Sequence, residues 1–303
     1  MSNKPILITG GTGFLGSALV FDLLNQQQPV AVYSRRVDAV TRAFGNKVQA
    51  ITRIDQLPDA GSFKAIINLA GAGIFDQRWN DSRKTVLRDS RIKLTQQLAD
   101  WIGQSKEKPE VLISGSAIGV YGEHGEEVLD ENSLANPDFS QKLCADWESA
   151  AQMVQAAGVR VCLVRTGLVL GRDGGLLKRM LLPFRFGLGG TLGHGQQWMS
   201  WIHIQDWLNV VKLMLEDSSM QGAYNLTAPG PVTNQVFSST LANILNRPML
   251  LPMPEKLLRF LLGEMANLVL GSQRVLPHRL LKQGFQFKFS QLDAALRNLL
   301  FNG

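Results

Sequence analysis

Cysteine is scarce in this chain. Its 303 residues include two, Cys144 and Cys162. Two scattered thiols exclude a disulfide-stapled scaffold and a cysteine-rich metal centre, and they point to a reducing compartment. Long apolar runs are missing as well. No stretch approaches the roughly 18 apolar residues of a membrane span. Met1 to Pro5 is too short for the charged region of a secretory leader. A cytoplasmic protein with no membrane partner is therefore expected. Lysine and arginine outnumber aspartate and glutamate by 31 to 25, for a net charge of +6, yet the basic residues form no long run. Nucleic acid is not an expected partner. The excess reads as a solvated basic surface with a few arginines kept for an anionic ligand. No His/Cys/Asp/Glu spacing resembles a metal site. No Gly-x-Ser-x-Gly elbow occurs, which argues against a hydrolase triad. Tyrosine is rare, with three in the chain, a scarcity with chemical consequences below.

What is present is alternation. Short apolar runs at Pro5–Thr9, Val30–Ser34, Val48–Ile51, Ala65–Leu69, Val111–Gly115 and Val159–Arg165 read as strands. Helical patterns lie between them at Phe14–Gln26, Asp38–Phe44, Asp81–Ser105 and Gln141–Ala157, with Gly158 as a C-cap. This is the signature of βαβ units and a parallel sheet. The fold class expected is α/β, a Rossmann-type doubly wound sheet with a smaller C-terminal cap. The nucleotide domain would run over 1–170, with 198–228 returning to the sheet; 171–197 and 229–303 would form the substrate cap. The stretch 171–195 is rich in glycine and reads as loop. Helical patterns return at Gln205–Glu216, Gln235–Leu245, Pro254–Met265 and Gln291–Leu300.

The first strand, Ile6-Leu7-Ile8-Thr9, runs into Gly10-Gly11-Thr12-Gly13-Phe14-Leu15-Gly16 and then an apolar helix. Strand, glycine turn and helix form the context that the dinucleotide fingerprint requires. Gly10 permits the turn, Gly13 lets a pyrophosphate approach the backbone, and Gly16 lets helix and strand pack closely. The helix N-terminus offers free N–H groups and partial positive charge to phosphates. Thr12, Phe14 and Leu15 complete the expected contacts. The second strand ends in Tyr33-Ser34-Arg35-Arg36. An acid there would hold a ribose hydroxyl; arginines match a 2′-phosphate. NADP(H) is thus the expected cofactor, with Asp38 keeping an NAD alternative open. Leu69, Ala70 and Gly71 would let the cofactor pass the end of the fourth strand. Arg78 is placed either at a phosphate or on the surface.

These residues, with Asn68-Leu69-Ala70-Gly71 and Ser114-Gly115-Ser116-Ala117-Ile118-Gly119-Val120-Tyr121-Gly122, resemble the short-chain dehydrogenase/reductase superfamily in its extended or atypical branch. More narrowly, the chain looks like the uncharacterised epimerase family proteins of that branch. Arg78-Trp79, Lys142-Leu143-Cys144-x-x-Trp147-Glu148, Arg165-Thr166-Gly167-Leu168-Val169-Leu170 and Trp201-Ile202-His203-Ile204-x-Asp206 carry that narrower likeness. The resemblance implies a substrate-hydroxyl role for Ser116, places Ser114 in the cofactor set, and suggests an oxidoreductase or epimerase acting on a small molecule of nucleotide-sugar or phosphorylated type. A homodimer is left open.

One departure stands out. The superfamily's reaction uses Tyr-x-x-x-Lys, with the lysine one turn after the tyrosine lowering its pKa. None of Tyr33, Tyr121 and Tyr224 has a lysine four residues later. Aligned on Glu148, the pair's positions hold Ser140 and Cys144. Lys142 could stand in only if the helix began later than expected. Cys144 reads either as core or as a thiol beside the nicotinamide, and Tyr121 is an alternative phenol. Arg165, Arg172, Lys178, Arg179 and Arg185 would bind an anionic substrate. His203 reads as structural, with Asp206 as its partner or as a helix cap, and His194 faces a ligand from the glycine-rich loop. The alternative to an enzyme is an NADPH-binding redox sensor or interaction module.

Overall fold

The computed structural model describes residues 4–302; residues 1–3, which enter the leader reading, lie outside them. The chain runs β1 (Ile6–Thr9), α1 (Phe14–Asn25), β2 (Val30–Tyr33), α2 (Val37–Phe44), β3 (Gln49–Ile51) and β4 (Ala65–Asn68). Then come α3 (Asp81–Asp89), α4 (Ile92–Gln104), β5 (Val111–Ala117), β6 (Val128–Leu129), α5 (Phe139–Gln152) and β7 (Arg160–Thr166). After β8 (Leu168–Leu170) follow α6 (Gly175–Arg185), β9 (Trp198–Met199), β10 (Trp201–His203), α7 (Ile204–Glu216) and β11 (Gly222–Leu226). The remainder comprises β12 (Val232–Thr233), α8 (Asn234–Ile244), α9 (Glu255–Leu262), α10 (Asn267–Leu270), β13 (Arg274–Val275), α11 (His278–Lys282) and α12 (Leu292–Arg297).

Seven strands form one parallel sheet in the order β11-β7-β5-β4-β1-β2-β3. The order reverses between β1 and β4, where a doubly wound sheet opens its crevice at the strand C-termini. Period-two alternation builds the two faces. Ile6 and Ile8 point into the core shared with Leu19, Val20 and Trp207 of α1 and α7. Leu7 points the other way, toward Ala99, Ile102 and Ala151 of α4 and α5. All three strand residues are buried. At ~25 cal/mol per Å² of apolar surface removed from water, each fully buried side chain contributes about 2 kcal/mol. The doubly wound fold class is as expected.

A separate apolar core joins α6, α8 and α12 through Leu177, Phe184, Phe237, Leu241 and Leu296. Between α8 and α12 the chain returns to the sheet. Leu280, Phe285 and Phe287 pack on the first core, and Arg279 donates to the carbonyls of Gln221 and Ala223 on and beside β11.

Two local expectations are corrected. The helix expected over Asp81–Ser105 is two helices, broken at Ser90-Arg91. The Ser90 hydroxyl donates to the Leu87 carbonyl and accepts the Ala72 N–H, so a tertiary bond takes the place of helical continuity. The glycine-rich stretch expected as loop contains α6, whose Leu177, Met180, Leu181 and Phe184 supply a buried stripe.

Candidate functional site

Beneath the crevice, a chain of hydrogen bonds fixes the strand ends. The Thr9 hydroxyl donates to Asn68 Oδ1 at 2.6 Å and accepts the Ala70 N–H. Asn68 Nδ2 and Trp147 Nε1 both donate to Thr95 Oγ1, at 2.8 and 3.0 Å. β1, β4, α4 and α5 are thereby tied together, and Asn68 is a buried brace. Above it lies the glycine turn. Gly10 has φ +70°, and a Cβ there would stand 2.7 Å from the Leu69 backbone. A Cβ on Gly16 would overlap the Gly10 carbonyl oxygen. No side chain caps α1, which begins after Gly13, so its first-turn N–H groups lack intrahelical partners and face the crevice. Such a cradle fits a pyrophosphate. Thr12 and Leu15 flank it, half-buried. The Phe14 ring turns away, into the hollow left by Gly171, Gly174 and Gly175.

At the end of β2, Arg35 and Arg36 are exposed. Asp38, the alternative acid, is engaged by Arg42 at 2.6 Å. Past the same edge runs a groove of about 580 Å³, lined by Tyr33, Thr52, Arg53, Gln97 and Trp101 among others. No linear motif announces it, because its walls come from β2, the residues after β3, and α4. Leu69 and Ala70, which follow β4, are half-buried and Gly71 is exposed. Arg78 is exposed, as in the surface alternative, and lies beside the cap, its Nη2 3.2 Å from where a Gly263 Cβ would stand.

The reaction-side residues are arranged differently from expectation. Ser116 is buried and donates to Glu148 Oε1 at 2.6 Å. Glu148 forms a two-bond ion pair with Arg165, both at 2.9 Å. Arg165 also donates to the Tyr121 hydroxyl and the Glu131 carbonyl, and Tyr121 donates to Asn225 Oδ1 at 2.6 Å. Burial alone would lower the Arg165 pKa; the Glu148 carboxylate outweighs it and raises it. The Tyr121 phenol is pushed up to about 12, chiefly by burial, so it stays protonated and serves as a strut. This network removes Arg165 from the expected anion-binding set. Asn225 and Glu131, and the pairing of Glu148 with Arg165, escaped sequence reasoning because the partners lie on separate segments of the chain.

Lys142 is corrected outright. It is exposed on α5 and reaches only Asp146, at 3.9 Å, because α5 begins at Phe139, before the start that would turn it inward. Ser114, near the end of β5, is fully buried, and its hydroxyl has no hydrogen-bond partner among the described residues. Cys144 packs with Ile118, Val120, Leu129 and Val275; burial, then the Glu148 charge, push its thiol up to about 12. It is core and not a thiolate. His203 caps α7 by accepting the Gln205 N–H and stacks on Phe289 at 3.9 Å. Asp206 is neither its partner nor the cap; it accepts the N–H groups of Lys288 and Phe289. His194 is exposed and accepts the Gln196 N–H.

Over the crevice, the segment after β4 meets the cap. Arg179 of α6 lies over the Phe75 ring and 3.9 Å from Asp76, and Lys84 pairs with Glu264 at 2.5 Å. Among the described residues, no cluster of His, Cys, Asp or Glu could hold a metal, and no helix is long and apolar enough to cross a membrane.

Fold and crevice together define a doubly wound α/β protein with a dinucleotide-type glycine turn and a C-terminal cap. The family is then specific. The NAD dependent epimerase/dehydratase family matches residues 6–227, and a domain of unknown function, DUF1731, matches 253–299. The chain belongs to the NAD dependent epimerase/dehydratase family. It is 38% identical over 300 residues to the epimerase family protein YfhF of Bacillus subtilis, covering 97% of each chain. Human epimerase family protein SDR39U1, crystallised with NADPH, superposes with a TM-score of 0.90 at 34% identity, over 99% of this chain and 100% of that one. A nucleoside-diphosphate sugar epimerase from Corynebacterium glutamicum gives a TM-score of 0.77 at 30% identity, over 98% of this chain and 59% of that one.

Proposed function

We propose that this protein binds NADPH and uses it as an oxidoreductase on a small, anionic substrate held under the cap. The observation that carries the reading is the pairing of an uncapped α1 N-terminus with two exposed arginines at the end of β2, while Asp38 is occupied by Arg42. Gly10, Gly13 and Gly16 hold the pyrophosphate; Arg35 and Arg36 take the 2′-phosphate; Leu69, Ala70 and Gly71 border the remainder. When bound, NADPH supplies a hydride. Lys178, Arg179 and Arg185 on α6 attract the substrate's negative charge, in keeping with a nucleotide-sugar or phosphorylated compound. Both thiols are buried and unpaired, which suits a cytoplasmic setting.

The proton side of the reaction differs from a Tyr-Lys relay. Ser140 and Cys144 occupy the relay positions, Tyr121 is locked in the Arg165 network, and Ser116 is bound to Glu148. Loss of a positioned general acid costs about 10²–10⁴ in rate, so slow turnover is expected. The sealed network also favours a second reading, an NADPH-occupied sensor. The deciding experiment incubates the protein with NADPH and a panel of nucleotide sugars and small carbonyl compounds. NADPH consumption above the protein-free rate supports the enzyme; tight binding without consumption across the panel overturns it in favour of the sensor.

A further inference from the structure

Arg91 is a cation outside the Ser116–Glu148–Arg165 network. It stands at the break between α3 and α4. Its Nη1 donates to the Leu87 carbonyl at 3.2 Å and its Nη2 to the Ala72 carbonyl at 3.1 Å. No carboxylate among the described residues pairs with it, whereas neighbouring Arg88 has Asp146. A guanidinium carries five donors; two are used here. Burial lowers its pKa, opposed by Cys144 and reinforced by Arg83, yet a guanidinium remains charged at neutral pH.

Its geometry fixes where it faces. A Cβ on Gly71 would lie 2.8 Å from Arg91 Cζ and 3.1 Å from both Nε and Nη2. Those three distances put the spot over the plane of the guanidinium. The Cζ also lies 5.4 Å from the Trp147 ring centroid. The group therefore lies against Gly71, an exposed residue of the crevice, and against α5. Gly71 is needed because a side chain there would occupy the guanidinium's space. A partly buried cation without a counter-charge is costly to keep unless acceptors complete its shell.

The sheet order identifies which part of a bound dinucleotide supplies them. The arginines for the 2′-phosphate sit at β2, and the pyrophosphate cradle follows β1. Continuing in the same direction across the sheet leads to β4, β5 and Arg91. We propose that Arg91 is a positioning residue for the far half of the cofactor, donating to oxygens of its second ribose and phosphate, and that it stands in for the cation missing at Cys144. The inference rests on the NADPH reading.

A ladder of ligands tests it. 2′,5′-ADP carries only the adenine-side half, 2′-phospho-ADP-ribose adds the second phosphate and ribose, and NADPH completes the molecule. Dissociation constants are measured calorimetrically for the wild type, Arg91→Met and Arg91→Lys, with melting temperatures beside them. Arg91→Met is expected to leave 2′,5′-ADP affinity within about twofold and to weaken 2′-phospho-ADP-ribose and NADPH by about tenfold or more, as for one lost charged hydrogen bond. Arg91→Lys keeps the charge without the fork and should recover part of the loss. Should Arg91→Met fail to fold, Arg91→Lys against the wild type carries the comparison, with the same ligand-selective weakening expected at smaller size. A change shared equally by all three ligands, or no change in any, overturns the proposal. A wild type that binds none of them overturns instead the NADPH reading on which it rests.

Discussion

Replacing Arg165 with methionine tests the network that holds the end of β5. Glu148 is 6% exposed. Its carboxylate receives two bonds from Arg165 and one from Ser116. Arg165→Met keeps most of the side-chain volume and leaves that carboxylate with the Ser116 hydroxyl alone. Removing one partner of a buried ion pair costs about 3–5 kcal/mol, because the remaining charge is uncompensated. For a chain of this size 1 kcal/mol moves the midpoint by about 2 °C, so the variant should melt roughly 6–10 °C lower. The double variant Arg165→Met/Glu148→Gln removes the orphaned charge and should recover part of that fall. Circular dichroism melts of the wild type, both single variants and the double variant complete the cycle. A drop under about 2 °C for Arg165→Met, or a double variant that simply adds the two single losses, would refute the view that this pair is coupled and holds the strand end.

Three further outcomes follow from the geometry. His203 is pushed down to about 4 by burial, from an ordinary 6.5. Its folded pKa is the lower one, so its stabilising effect is complete above pH 6.5 and is lost as pH falls toward 4. At about 1.4 kcal/mol per pH unit, acidification from 6.5 to 5 should cost about 2 kcal/mol. His203→Asn, which retains an N-cap acceptor, should flatten that limb of a melting-temperature profile, and an unchanged slope would count against the buried neutral ring. Cys144, with its thiol pushed up to about 12, should resist Ellman's reagent in the folded protein and react once unfolded in guanidinium; rapid labelling of the native chain would contradict its place in the core. Gly16→Ala sets a Cβ into the Gly10 carbonyl and should weaken NADPH binding by at least about tenfold, comparable to losing a charged hydrogen bond; equal affinity would mean the turn relaxes freely.

The cofactor end of the fold was legible because its signals are local. An apolar run closing in glycines and opening a helix dictates strand, turn and helix from adjacent residues. Gly158 likewise reads locally, and it takes φ +77° at the helix end. The reaction end was not legible, because its partners are brought together only by sheet order. Glu148, Arg165, Tyr121 and Asn225 sit on four separate segments. Nothing near Ser90 in sequence announces that its hydroxyl answers Ala72, so the helix break went unseen, and with it the position of Arg91. In α6 the abundance of flanking glycine hid an apolar stripe at helical spacing. Lys142 misled for a related reason: two residues along a helix is the far side, and the residue at which α5 begins decides which side is inward.

The central claim is that the β2 arginines and the glycine cradle form an NADPH site. Its most direct test is a pair of dissociation constants, NADPH and NADH, measured by cofactor fluorescence for the wild type and for Arg35→Ala/Arg36→Ala. The account predicts that the wild type favours NADPH by about 10- to 100-fold, the worth of charged hydrogen bonds to one phosphate. It predicts that the double variant loses that preference while its NADH affinity stays put. Equal affinity for the two cofactors in the wild type, or a preference that survives removal of both arginines, would contradict it.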